Sequence, residues 1–298
     1  MQVTSFCKCG GGETGWLTKR SDPAYKRESG PQARFFVEGE IGLSTSPEIK
    51  DVLHQSEKLF ENSQRQAAYQ LLNAALLAVE SKSNGVKGVD HLVLGRKLTE
   101  LHPLWWKSLG NDSLRLRRTR ASDAAFYKEI FSNEDWARRY NRQKPWSGNL
   151  EKALERAGQQ SPLQTGSLFW VIERQATTPI GLASLTSIDQ NNRKAELSLG
   201  LLDSHSEIET AKALFWITQF AFQKIHLNRL YVYIYTDNPS VKQLLEKLGF
   251  DLEGTLRDHF YLPPGKFFDV WVMGLNRRDL QTNERLKKLA ARWVGWII

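Results

Sequence analysis

One stretch constrains the chain more than any other. Asn228–Phe250, NRLYVYIYTDNPSVKQLLEKLGF, encodes a strand, a turn and a helix with a signal at each junction. Leu230, Val232 and Ile234 alternate with Tyr231, Tyr233 and Tyr235. That is the period of two of a strand, and apolar or aromatic residues on both sides predict burial on both faces. Asp237-Asn238-Pro239 ends the strand. Asn238 suits a helix N-cap and Pro239 the first helical position. Val241, Leu244, Leu245 and Leu248 then form one apolar stripe. Gly249 fits the left-handed residue that closes a helix, and Phe250 opens the next strand.

Elements of the same grain lie on either side. Leu114 to Arg120 alternates leucine with arginine and predicts a strand. Three helical segments follow, SDAAFYKEIF, SNEDWARRYN and NLEKALERAG. Gly166 to Arg174 and Pro179 to Ile188 predict an antiparallel pair turning at Ala176-Thr177-Thr178. Lys194 to Leu202 is a further strand and Ile208 to Ile225 a long apolar helix. Phe250 to Leu256 and Phe268 to Leu275 complete the series, joined by RDHFYLPPGKF. Strands interleaved with helices in this order predict an α/β (α+β) domain.

DNP, then LEKLGF, then EGTLR resembles the GNAT acyltransferase superfamily, and most closely its RimJ/RimL-like branch. The resemblance covers about residues 113–276. It implies a GNAT fold with a mixed central sheet flanked by helices. It also implies an N-acyltransferase that moves an acyl group from a thioester to a primary amine. In that fold the fourth and fifth strands part, here Ala195–Leu201 and Leu230–Tyr235, and the pantetheine arm of the donor lies between them. Backbone groups at Leu199, Gly200 and Leu201 are then the expected donors to pantetheine and to the oxyanion. Glu196 in AELSLG takes the position of the base that activates the amine, a role suited to a carboxylate in a half-buried cleft. Asn238 is expected to contact the donor or cap the helix after it, and Tyr235 to line the donor groove.

The chain departs from the family pattern in three places, the first being Val241 where the family's turn after Asn238 carries a serine. Leu245 stands where many relatives carry a general-acid tyrosine, leaving Tyr261, His259 and Tyr235 as replacements. The glycines of the phosphate loop are also missing. The segment reads His205-Ser206-Glu207-Ile208-Glu209, with His205 and Ser206 left to meet a phosphate. Each glutamate would oppose a bound anion by about 1–3 kcal/mol at partly screened distances. The expected donor is therefore either acyl-CoA or a thioester on an acyl carrier protein, which brings pantetheine without the nucleotide. A peptide or protein amine is the expected acceptor, with a longer acyl group one version. The competing expectation is an inactive GNAT-fold module that binds a peptide or protein.

Outside this domain the sequence predicts a Gly- and Ser-rich leader over residues 1–45. A helical module spans 46–110 and serves as a docking unit or as a cap on the catalytic domain. Leu109–Ser113 reads as a linker. The tail 277–298 reads as an amphipathic helix with Leu286, Leu289, Ala290, Trp293 and Ile297 on one face, packing back on the helical module. The net charge of +8 suits acidic partners, but no basic stripe interleaved with aromatics points to nucleic acid. Two cysteines, Cys7 and Cys9, make neither a disulfide framework nor a complete zinc site, so no metal is expected. No apolar run reaches the ~20 residues of a membrane span. A cytoplasmic location is expected.

Overall fold

The computed structural model describes residues 45–82, 88–141, 148–202, 207–262 and 265–296. All of them belong to one compact unit, Ser44–Ile298. The predicted leader, apart from its last residue, lies outside the described residues, as do His205 and Ser206.

An eight-stranded sheet carries the fold, in the order β1-β2-β3-β4-β5-β6-β8-β7. The strands are β1 (Leu109–Gly110), β2 (Leu114–Arg118), β3 (Leu168–Arg174), β4 (Thr178–Asp189), β5 (Lys194–Leu201), β6 (Arg229–Tyr235), β7 (Asp251–Leu262) and β8 (Lys266–Asn276). β5 and β6 run parallel, and every other neighbouring pair is antiparallel. A parallel pair needs a crossover, and α8 (Glu207–Gln219) with the π-helical turn Phe220–Lys224 supplies it. Among the described residues four α-helices lie between β2 and β3: α4 (Ala124–Ser132), α5 (Glu134–Asn141), α6 (Leu150–Gln159) and α7 (Pro162–Thr165).

Strand alternation sorts the side chains into two layers. Leu116, Trp170, Ile172, Leu185, Ala195, Leu197, Leu230 and Val232 face the layer that holds α8. Val171 and Leu182 face the other layer, with Phe126, Tyr127 and Ile130 of α4 and Leu154 of α6. In β6 the expectation of burial on both faces holds only in part. Leu230, Val232 and Ile234 are buried, but Tyr231 and Tyr233 are half-buried and Tyr235 alone of the tyrosines is fully covered.

The N-terminal helices α1 (Pro47–Glu61), α2 (Arg65–Lys82) and α3 (Val89–Glu100) have a core of their own around Ile49, Leu72, Leu94 and Leu98. They are tied to the sheet domain on the β2 side. The Trp106 indole donates to the Gly158 carbonyl at 3.0 Å, and the Ser161 hydroxyl to the Glu100 carbonyl at 2.7 Å. The Arg118 guanidinium donates to the carbonyls of Trp105, Ala157 and Gln160, so a buried cation holds the last carbonyls of α6 against the incoming chain.

Several expected boundaries move. Leu109–Ser113 is not only a connector, because Leu109 and Gly110 pair with Leu116 and Arg115 and extend the sheet edge. The last two strands run on through the segment expected to join them and form one long hairpin. Registers shift between Leu252 and Gly254 and again between Leu256 and Phe260. The tail is two helices, α10 (Arg277–Thr282) and α11 (Glu284–Val294), not one. α11 packs against α8, where the Phe215 and Trp293 rings meet at 6.1 Å, rather than against the N-terminal helices. Gly249 closes α9 (Pro239–Lys247) with φ +89° as its position in the sequence predicts. A Cβ there would come within 2.2 Å of Leu286 Cδ1, so the same glycine also lets α11 approach.

Candidate active site

β5 and β6 touch along three residue pairs and then part. Lys194 lies beside Arg229, Ala195 beside Leu230 and Glu196 beside Tyr231; no pairing follows. Beyond that point β5 stays bonded to β4 as far as Leu201, and β6 stays bonded to β8 as far as Tyr235. Each strand is held by its outer neighbour while the inner edges diverge, so the opening is built into the sheet.

The polarity of the inner edge follows from ladder alternation. The Leu202 N–H donates to the Ile180 carbonyl at 2.8 Å, which makes Gly200 and Ser198 the next residues bonded towards β4. Leu199 and Leu201 therefore turn their backbone groups towards the opening. Both were expected from the sequence as donor-binding positions. Gly200 has a different task. A Cβ on it would stand 3.0 Å from Trp136 Cζ2 and 3.1 Å from Tyr140 Cδ2, so its bare surface seats this aromatic pair. The two rings stack at 4.7 Å, and the Trp136 indole donates to the Leu201 carbonyl at 3.0 Å.

Glu196 is half-buried and alternates with the core-facing Ala195 and Leu197, so it looks to the layer of α4 and α5. Tyr231 lies beside it on the same face. Burial, and then the charge of Glu196, push the Tyr231 phenol above its ordinary range, while a hydrogen bond with Ser187 acts the other way. Tyr233 follows at 5.7 Å from the Tyr231 ring, and His259 lies 5.3 Å from Tyr233. Tyr235 packs 5.7 Å from Phe260 and carries the Arg138 guanidinium at 5.2 Å over its ring. Arg138 reaches across from α5 to Asp237, just past the end of β6, at 3.0 Å.

The fold thus places Glu196, Tyr235 and His259 along one face, joined by Tyr231 and Tyr233. Tyr261 is apart from them. Its ring lies 5.2 Å from Phe267 near the hairpin tip, with 54% of its surface exposed. Asn238 sits at the N-cap position of α9, but its side chain makes no capping bond to the helix backbone. It accepts a hydrogen bond from the Ser240 hydroxyl at 3.1 Å instead. At the start of α8, Ile208 is 59% exposed. Glu209 accepts from the Arg174 Nε at 2.8 Å and from its Nη2 at 2.6 Å. Glu209 is thus paired rather than free to oppose a bound anion, a partner that local sequence does not reveal. The contacts of Trp136, Arg138 and Tyr231 at the opening are not evident from the sequence. The alternation of the tyrosines is the one signal for Tyr231, and it reads equally as burial.

Residues 113–251 match the family model described as "Acetyltransferase (GNAT) domain". The matched segment carries most of the mixed sheet flanked by helices. Among curated relatives, the uncharacterized N-acetyltransferase YoaA of Bacillus subtilis (strain 168) is 29% identical over 157 residues, covering 51% of this chain and 88% of its own. The spermidine N(1)-acetyltransferase of Vibrio cholerae serotype O1 is 26% identical over 161 residues, covering 54% of this chain and 91% of its own. A solved structure of spermidine N-acetyltransferase from Vibrio cholerae in complex with CoA and spermine aligns with a TM-score of 0.49 and 22% identity, over 58% of this chain and all of that one. Among the described residues no helix is long and apolar enough to cross a membrane.

Proposed function

We propose that this protein transfers an acetyl group from acetyl-CoA to a primary amine, with the opening between β5 and β6 as the thioester groove. The carrying observation is the end of the parallel pairing at Glu196 and Tyr231. It leaves backbone donors along a groove with one carboxylate at its closed end. In this reading the Leu199 N–H, which turns inwards beyond the paired part of β5, meets the oxyanion as the carbonyl becomes tetrahedral. Glu196 takes the proton that the attacking amine must lose. The N–C bond forms first, and collapse of the tetrahedral intermediate then breaks the C–S bond, while a phenol on the same face protonates the departing thiolate. Tyr231 suits that task, because burial and Glu196 keep it protonated. His259, on the same face, is the other proton donor in this proposal, and exposed Tyr261 is not used.

The Arg174–Glu209 ion pair supports a coenzyme A donor. It takes up one of the two glutamates at the start of α8, and exposed Ile208 does not fill the groove. A second reading keeps an acyl carrier protein as donor and a peptide or protein as acceptor. Glu207 in the first turn of α8 favours it, since a nucleotide pyrophosphate would meet that charge. Incubating the purified protein with acetyl-CoA, longer acyl-CoAs or an acyl carrier protein, each with a polyamine or a peptide, and weighing the products decides between them. Absence of an adduct with every pair would remove the transferase proposal and favour a module that only binds a peptide or protein.

A further inference from the structure

A cavity of about 260 Å³ lies between the N-terminal helices and the α6–α7 segment, separate from the β5–β6 opening. Its walls include the ends of α1 and α3, the start of α2, and Gln159, Gln160 and Gln164. Its size falls just below the range of about 300–1,000 Å³ typical of drug-sized ligands, so it suits a small ligand or the end of a chain.

The charges on its walls are unequally matched. Lys97 is held by two carboxylates, Glu57 at 2.7 Å and Glu100 at 3.0 Å. Gln164 also donates to Glu100 at 2.5 Å. Arg65 on the same wall has no hydrogen bond and no ion pair among the described residues. Its guanidinium is held in place by stacking, 5.5 Å over Phe60 and 5.1 Å over Trp106. Desolvation lowers its pKa, and Glu155 offsets this only through space. A planar fork of donors, fixed on two rings at the wall of a cavity and bonded to none of that wall's carboxylates, is the geometry that takes a carboxylate or a phosphate. Glu61 lines the cavity too and makes no ion pair in the described structure, while Glu57 and Glu100 add further negative charge. That surround favours a monoanion over a dianion.

We propose that this seam is a carboxylate-binding site in which Arg65 grips the carboxylate and the glutamine amides meet the polar groups beside it. The site is independent of the acetyl-transfer reading. Its ligand is a free small carboxylate or the C-terminal carboxylate of a peptide.

Calorimetric titration of the full chain tests it with four probes: acetate, trialanine, trialanine amidated at its C-terminus, and inorganic phosphate. Saturable binding of trialanine, weakened about 10-fold or more by amidation and by Arg65→Gln, supports the site and assigns it to a peptide end. Acetate binding as tightly as trialanine, with the same dependence on Arg65, supports it and assigns it to free carboxylates. No saturable heat with acetate or trialanine up to about 10 mM overturns it. Preference for phosphate, or binding that Arg65→Gln leaves unchanged, does so as well. Should Arg65→Gln fail to fold, Arg65→Lys keeps the charge and loses the fork. The amidation comparison needs no variant at all.

Discussion

Glu196 on β5 and Tyr231 on β6 form the last pair of the parallel contact, and the sheet opens immediately beyond them. The carboxylate and the phenol share the face that carries α4 and α5, and the charge of the carboxylate bears on the phenol's proton. With Glu196 ionised beside it, Tyr231 holds its own proton more firmly. In the proposed mechanism this pair takes a proton from the amine and returns one to sulfur.

Glu196→Gln keeps size and hydrogen-bonding capacity but removes the base. The expected result is a kcat lower by about 10²–10⁴, the span typical of general base catalysis. The KM for acetyl-CoA should barely move, because the carboxylate is not on the inner backbone edge. Steady-state kinetics with the circular dichroism spectrum as a fold control checks this. Full activity in the folded variant would assign the base elsewhere.

Gly200→Val tests the aromatic pair that closes one side of the opening. Even a Cβ at this position stands 3.0 Å from Trp136 and 3.1 Å from Tyr140, so valine must displace both rings. Overpacking of this kind costs about 1–3 kcal/mol. The indole that donates to the Leu201 carbonyl should move with it, changing the groove edge. Denaturant melts should show the stability loss, and the KM for acetyl-CoA should change more than kcat.

How far the sequence goes can be seen at these positions. Local signals placed β6, the turn at Asp237-Asn238-Pro239, and Gly249 at the end of α9, because period, proline and positive φ act within a few residues. The parting of β5 from β6 came from the family resemblance, not from alternation, since a paired strand and a splayed one have the same period. The contacts of Trp136, Arg138 and Glu209 were not legible. Their partners Leu201, Asp237 and Arg174 are far off in the chain, and only the assembled sheet brings them together. The docking of α11 on α8 was missed for the same reason: an apolar stripe says that a helix is covered, not by what.

The arginines of β2 make a prediction about stability alone. Arg117 is bonded to Glu173 at 2.5 Å and to Asp123 at 2.7 and 2.8 Å, and all three are buried. Arg115 also donates to Glu173, at 2.6 Å. Glu173→Gln leaves Arg117 with one carboxylate and less charge to balance it. Breaking a buried pair in this way costs about 3–5 kcal/mol. Urea melts should show that loss, while exchanging the exposed pair Lys128–Glu151 should shift stability by less than about 1 kcal/mol.

The buried tyrosines set a limit on the alkaline side. Burial raises the phenols of Tyr127, Tyr140 and Tyr231 above their ordinary value near 10. The sign follows from proton counting. Below pH of about 10 the phenols are protonated in both the folded and the unfolded chain, so they do not tilt the balance. Above it the unfolded chain releases these protons while the folded one retains them, so the unfolded chain binds fewer and stability falls as pH rises. Tyr140→Phe removes one such group, together with its hydrogen bond to Ser184. Loss of that bond should lower the melting temperature at neutral pH, by the equivalent of about 1 kcal/mol. Between pH 9 and 11, by contrast, the melting curve of the variant should fall less steeply than that of the parent. Parallel slopes for parent and variant across this window would mean that Tyr140 releases its proton as readily when folded as when unfolded, contrary to its burial beneath Trp136.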